Sequence, residues 1–112
     1  MGFIQEEHGS IIVEVVDLEK ATLLDAGEFK EILNQDIQAG RRKIIIDLTE
    51  CEFIDSTFLG AIVISLKRVA ELGGKLRLVG VQPEVASMFR LTKMNRVFDI
   101  FETREDALES FM

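Results

Sequence analysis

The apolar positions of the chain change period several times, and each change marks an element. Residues 2–6 and 10–16 read as extended strands, with "EEHG" as the turn between them. The stretch "SIIVEVVDL" is rich in β-branched residues, which suit a pleated, half-buried surface. From Leu23 to Gln38 the period becomes that of a helix, with Ala26, Phe29, Ile32, Leu33 and Ile37 on one face. Thr22 and Asp25 have the spacing of a capping box at its start, with Asp in place of the usual Glu, and Gly40 ends it. "KIIIDL" (43–48) is a continuous apolar run without alternation, the pattern of a central strand covered by helices on both faces.

A second helix is predicted over 57–72 and stops at Gly73-Gly74, before the strand "KLRLVGV" (75–81). Pro83 opens a third helix at a first-turn position where its missing N–H costs nothing. Val85, Met88 and Phe89 form that helix's apolar stripe. "VFDIF" (97–101) reads as a last strand, and Thr103 and Asp106 repeat the capping-box spacing before a short helix carrying Leu108 and Phe111. The expected order is β-β-α-β-α-β-α-β-α. It describes an α/β domain over residues 1–112, with a mixed, mostly parallel sheet flanked by helices and right-handed crossovers.

Charge narrows the partners. Thirteen basic and 20 acidic residues leave a net charge of −7, which opposes nucleic-acid binding because phosphate neutralisation supplies most of that affinity. The basic cluster "GRRK" (40–43) fits a solvated helix end, where cations suit the macrodipole. No membrane association is expected either. The longest near-apolar stretch, 58–66, stops at Lys67 and Arg68, short of the roughly 20 residues a spanning helix needs. The opening "MGFIQEEHGS" lacks a secretory pattern, and Glu6 stands where a myristoylation signal wants Ser or Thr. A single cysteine rules out an internal disulfide framework and points to the cytoplasm.

Catalytic chemistry is poorly supplied. His8 is the one histidine and falls near the predicted turn; Cys51 is the one thiol, so no zinc site built on cysteine pairs exists. Neither glycine-rich phosphate motif occurs, so no nucleotide cofactor is expected, and no metal. The pair Glu50 and Glu52 fits solvated loop residues in an acidic chain. The expectation is a protein that is not an enzyme.

One stretch stands apart. "CEFIDSTFLG" (51–60) places Asp55, Ser56 and Thr57 in a row after the central strand. As a helix start the reading is simple, since Asp and Ser are preferred N-caps worth about 1 kcal/mol. Position adds a second reading, because partner and ligand sites of open α/β sheets gather beyond the carboxyl ends of the strands. A phosphate on Ser56 would meet free amides and the positive end of a helix, and would add about −1.5 to −2 of charge beside Asp55.

The segment "IIIDLTECEFIDSTFLGAIVISLKRVAELGGKLRLVG" resembles the STAS domain of bacterial anti-sigma factor antagonists and of sulfate transporters, and "VASMFRLTKMNRVFDIFETREDAL" resembles the closing region of that family. Its most specific part is the D-S-[ST]-x-[LI]-G pattern at 55–60, and the likeness spans roughly residues 10 to 111. The resemblance implies a regulatory cycle. The unphosphorylated domain binds an anti-sigma factor that is also a serine kinase of the histidine-kinase-like ATPase type, and so frees the sigma factor. Phosphorylation ends the binding, and a serine phosphatase resets it. By this resemblance the phosphoacceptor is Ser56, preceded by Asp55 and followed by Thr57 as a second hydroxyl; the candidate partner contacts are Asp55, Thr57, Phe58 and Thr22, of which Phe58 and Thr22 depart from the family pattern. Phe58 stands where the family usually has Gly, and its ring fits either core packing or an exposed anchor. Thr22 stands roughly where antagonists carry an Asp, and it fits a helix cap as well as a contact. Two other functions remain open at this level: an interaction module that is never phosphorylated, and a small-ligand sensor with a pocket near the helix ends.

Overall fold

In the computed structural model, which describes residues 2–112, the chain opens with an antiparallel hairpin of β1 (Phe3–His8) and β2 (Ile11–Val16). The ladder continues to the pair His8 and Ile11, so the turn falls at Gly9 and Ser10 and not at "EEHG". Gly9 takes a φ of 63° there, a left-handed conformation that a residue without Cβ adopts freely and that two-residue hairpin turns demand. The polar residues of 6–8 belong to an edge strand, where side chains can stay in water while the backbone pairs.

After the hairpin come β3 (Lys20–Ala21), α1 (Leu23–Gln38), β4 (Lys43–Asp47), β5 (Phe53–Ile54) and α2 (Ser56–Glu71). They are followed by β6 (Lys75–Val79), α3 (Pro83–Leu91), a 3₁₀ turn over Met94–Arg96, β7 (Asp99–Phe101) and α4 (Arg104–Glu109). Five strands form one sheet in the order β1-β2-β4-β6-β7, parallel except for β1. This is the expected α/β order with one addition. The two-residue strands β3 and β5 pair parallel in a second small sheet, with Lys20 beside Phe53 and Ala21 beside Ile54. The last strand is also shorter than "VFDIF", because the 3₁₀ turn holds the chain until Val97.

Alternation along the strands sends their side chains to opposite faces. Ile12, Val16, Ile44 and Ile46 meet Phe29, Leu33, Phe58 and Ile62 of α1 and α2 in the main core. Ile11, Val13, Val15, Ile45 and Val79 face the other way, under Ala107 of α4. Both faces of β4 are covered, which is why its sequence shows no alternation. On the α4 side, Arg104 donates to Asp47 Oδ2 (2.9 Å) and Glu6 Oε1 (2.6 Å), fastening the short helix to β4 and β1.

Three rings join the hairpin to the helices. Phe29 stacks on Phe3 (4.9 Å between centroids) and on Phe58 (5.0 Å). Phe58 is completely buried. The ring is therefore a core residue, and the expectation of a direct partner contact through Phe58 is corrected: the first turn of α2 points this side chain inward, between α1 and the sheet. Phe58→Ala is expected to cost about 3–5 kcal/mol, as for other buried rings truncated to a methyl. Urea unfolding checks this, and a loss below about 1 kcal/mol would mean the stack is dispensable.

Candidate functional site

The loop 48–55 leaves the carboxyl end of β4 and delivers Asp55 to the start of α2. Asp55 is extended (φ −94°, ψ 177°) and is the N-cap of α2, so the helix begins at Ser56, one residue before the predicted start. Its Oδ1 accepts from the Phe58 amide at 2.9 Å. Its Oδ2 accepts from the Leu23 amide at 2.8 Å, in the first turn of α1. One carboxylate thus caps two helices. The Asp55 amide in turn donates to the Ala21 carbonyl (3.2 Å), continuing the small β3–β5 sheet.

Thr22 caps α1. Its hydroxyl accepts from the Leu24 amide (3.2 Å), and its own amide donates to Asp25 Oδ2 (3.0 Å), the reciprocal pair foreseen from spacing. Thr22 is half-buried and lies one residue from the Leu23 amide that Asp55 engages, so it sits beside the site with its oxygen committed to the helix.

Ser56 and Thr57 are both exposed. Among the described residues neither hydroxyl has a hydrogen-bond partner, and the amides of Ser56 and Thr57 are not engaged by any side chain. Phe58 and Leu59 donate to the side chain and carbonyl of Asp55. Two hydroxyls and two unengaged amides therefore meet at the positive end of a sixteen-residue helix.

Two features of this surface were missed in the sequence. The first is a groove of about 340 Å³ between α1 and α2, lined by Leu23, Ala26, Gly27, Thr57, Gly60 and Ile64, with Lys30 at its edge. Leu23 is 62% exposed and its neighbour Leu24 87% exposed, large apolar side chains left in water beside the hydroxyl pair. The helical period signals that Leu23 and Leu24 cannot both face the core, but not that Gly27 and Gly60 open a furrow between them. The second is an acidic rim. The Glu52 amide donates to the Glu19 carbonyl at 2.8 Å, which brings two exposed carboxylates to the same edge. Cys51, a wholly buried residue of the 48–55 loop, has its thiol pushed up by burial, the setting of a structural cysteine.

Asp55→Ala removes a cap from each helix and is expected to cost about 2 kcal/mol, roughly 1 per cap. Hydrogen exchange should accelerate together at the amides of Leu23 and Phe58. Acceleration at Phe58 alone would mean that the bond to α1 is not maintained in solution.

Comparison with known proteins gives a consistent result. The family model for the STAS domain matches residues 9–107. A Thermotoga neapolitana protein named as a candidate anti-sigma factor antagonist is 36% identical over 94 residues, covering 84% of this chain and 80% of the relative. The crystal structure of a Thermotoga maritima protein, also named as a candidate antagonist, superposes with a TM-score of 0.87 at 28% identity, over 96% of this chain and 92% of that one. The Bacillus cell-fate determinant SpoIIAA in its phosphorylated form shares the fold, with a TM-score of 0.79 at 16% identity over 98% and 99% of the two chains. With its sheet order, its helix-capping Asp55 and a family match over nearly its whole length, the chain belongs to the STAS domain family.

Proposed function

We propose that this chain is an anti-sigma factor antagonist, switched by phosphorylation of Ser56, that binds an anti-sigma factor acting as its serine kinase while Ser56 is unmodified. The observation that carries the reading is the Ser56 hydroxyl: exposed, without a partner among the described residues, and backed by unengaged amides at the start of α2. A kinase must reach the oxygen in line with a nucleotide phosphate, which a sealed or hydrogen-bonded hydroxyl would prevent. The names of the relatives support the same role.

In this reading the surface works in two parts. Leu23 and Ile64 offer apolar area along the groove, with Leu24 exposed next to Leu23 in the chain, and burying such area is the general source of association energy. Ser56 supplies the control. Phosphorylation would add about −1.5 to −2 of charge next to Asp55, on the side of the chain whose small β3–β5 sheet is preceded by Glu19 and Glu52. A kinase that holds nucleotide phosphates opposite Ser56 then faces like charge, and the complex dissociates. A serine phosphatase would restore the neutral hydroxyl. Thr57, equally exposed, is the second candidate acceptor, and Asp55 and Thr22 set the geometry around both. The partnership is between proteins of the cytoplasm, with the antagonist as substrate and ligand and not as catalyst.

The reading is tested by incubating the chain with a kinase of the histidine-kinase-like ATPase type and ATP, then mapping phosphate by mass spectrometry. Phosphate is expected on Ser56, with Ser56→Ala abolishing it and Ser56→Asp weakening partner binding at least tenfold. Equal binding by Ser56→Ala and Ser56→Asp, with no phosphate at residue 56 or 57, would discard the switch and leave an interaction module without phosphorylation.

The groove has its own test. A Cβ on Gly60 would meet nothing within 4 Å, so Gly60→Ala should raise stability by about 0.5–1 kcal/mol through helix propensity. It should also lower partner affinity by partly filling the furrow. A stabilised variant with unchanged affinity would remove the groove from the partner surface.

A further inference from the structure

Glu14 lies in the middle of β2 with apolar residues on both sides, and it is only 1% exposed. Its side chain shares the α1-covered face with Ile12 and Val16. Asp36, near the end of α1, is 6% exposed and comes down onto the same spot. Gln5, directly across the β1–β2 ladder, donates from Nε2 to Glu14 Oε2 (2.8 Å) and to Asp36 Oδ1 (3.2 Å). One side-chain amide therefore serves one oxygen of each acid, and it has no further proton to give.

Two problems remain if both acids are ionised. Asp36 Oδ2 is buried and has no hydrogen-bond donor among the described residues. Two like charges would also lie in a dry interface with little to oppose them. A proton on Glu14 resolves both at once: it removes one charge and supplies a donor to Asp36. We propose that Glu14 and Asp36 share one proton across the interface of α1 with the sheet, and that this acid pair is a proton-operated latch holding α1 against β1 and β2.

The surroundings agree. Burial, then the hydrogen bond to Asp36 and its charge, push the Glu14 carboxyl up to about 8, while Gln5 and Arg41 pull it back. Among the described residues Arg41 is the cation that pulls it back, and Arg41 is shared with Glu7 of β1 at 2.7 Å. Among the described residues the other elements bring their cations to different partners. β4 turns Ile44 and Ile46 to this face. Arg42 donates to the carbonyls of Ile37 and Arg41, and Arg68 of α2 is hydrogen-bonded to Asn34. Ser65, the buried polar residue of α2, is neutral.

The direction of the pH effect follows by linkage. The folded carboxyl titrates above its ordinary value of 4.5, so the latch contributes fully below that value. Its contribution declines as the pH rises and is lost on passing about 8. Within that window each pH unit raises the unfolding constant by up to about tenfold. The proposal stands apart from the role of Ser56, and its test involves neither kinase nor phosphate.

Carboxyl carbon NMR of the unmodified chain from pH 4 to 10 is the direct measurement. The Glu14 carboxyl is expected to titrate with a midpoint above 7; a Glu14 midpoint near 4 to 5 would overturn the latch. Urea unfolding gives the second arm. Glu14→Gln keeps a donor for Asp36 and cannot ionise, so its unfolding midpoint should stay level between pH 6 and 9, while that of the unmodified chain falls. An equal fall in both would also overturn the proposal. Should Glu14→Gln fold poorly, Asp36→Asn is expected to lower the Glu14 midpoint by removing the neighbouring charge, and an unmoved midpoint would count against the shared proton.

Discussion

The carboxylate of Asp55 holds the beginnings of two helices. Each helix start is a cluster of unpaired amides with partial positive charge, and two such ends repel when brought together. An anion between them turns that repulsion into attraction, with one oxygen on the Leu23 amide and the other on the Phe58 amide. The small β3–β5 sheet sets the distance, because Ala21 and Ile54 lie side by side just before the two helices begin. The residue that follows Asp55 inherits this constraint. Ser56 has no structural duty of its own among the described residues, yet its backbone is held on one side by the cap and on the other by Phe58 in the core.

How much of this was legible depended on distance along the chain. The Thr22–Asp25 box, Pro83 at the start of α3 and Thr103 accepting from the Asp106 amide are all local devices, and each was readable from spacing. The unbroken apolar run of β4 announced a strand covered on both sides. What escaped notice has partners far away in sequence. Two-residue strands carry no periodicity, so β3 and β5 exist only because Glu19 to Ala21 and Glu52 to Asp55 meet in space. Asp55 was readable as a cap for its own helix but not for α1. Phe58 leaned toward the core from its sequence context, and Phe3 and Phe29 placed around it settle that it is buried there. Glu14 sits in "VEVV", where alternation suggests a solvated side chain, and only Asp36 and Gln5 explain why it is buried.

The loop between β4 and α2 is pinned along its length, and this bears on how the site can be read by a partner. Asp47, tied to Arg104, accepts at Oδ1 from the Thr49 amide (2.9 Å) and hydroxyl (2.5 Å). The Leu48 amide donates to the Val79 carbonyl (2.8 Å), and Gln82 reaches the Thr49 carbonyl (2.6 Å). Gly80 seats itself against Thr49 so closely that a Cβ there would lie 2.2 Å from the hydroxyl oxygen. Beyond Glu50 the chain is captured again, by the Glu19 carbonyl and then by the Asp55 cap.

These contacts hold the loop along its length, whereas a conformational switch requires an element with two arrangements. The groove floor is joined as well, since Asp55 links α1 and α2 at their starts and the stacked Phe29 and Phe58 link them below. Under the proposed function, a phosphate on Ser56 would then be read where it stands, as added charge and bulk on a surface of the same shape. That favours a partner whose contact area includes the hydroxyl itself over one that senses the site from a distance. The exposed Leu23 and Leu24 suit the same proposal, since a partner surface that keeps its shape can display apolar area and leave control to one neighbouring oxygen.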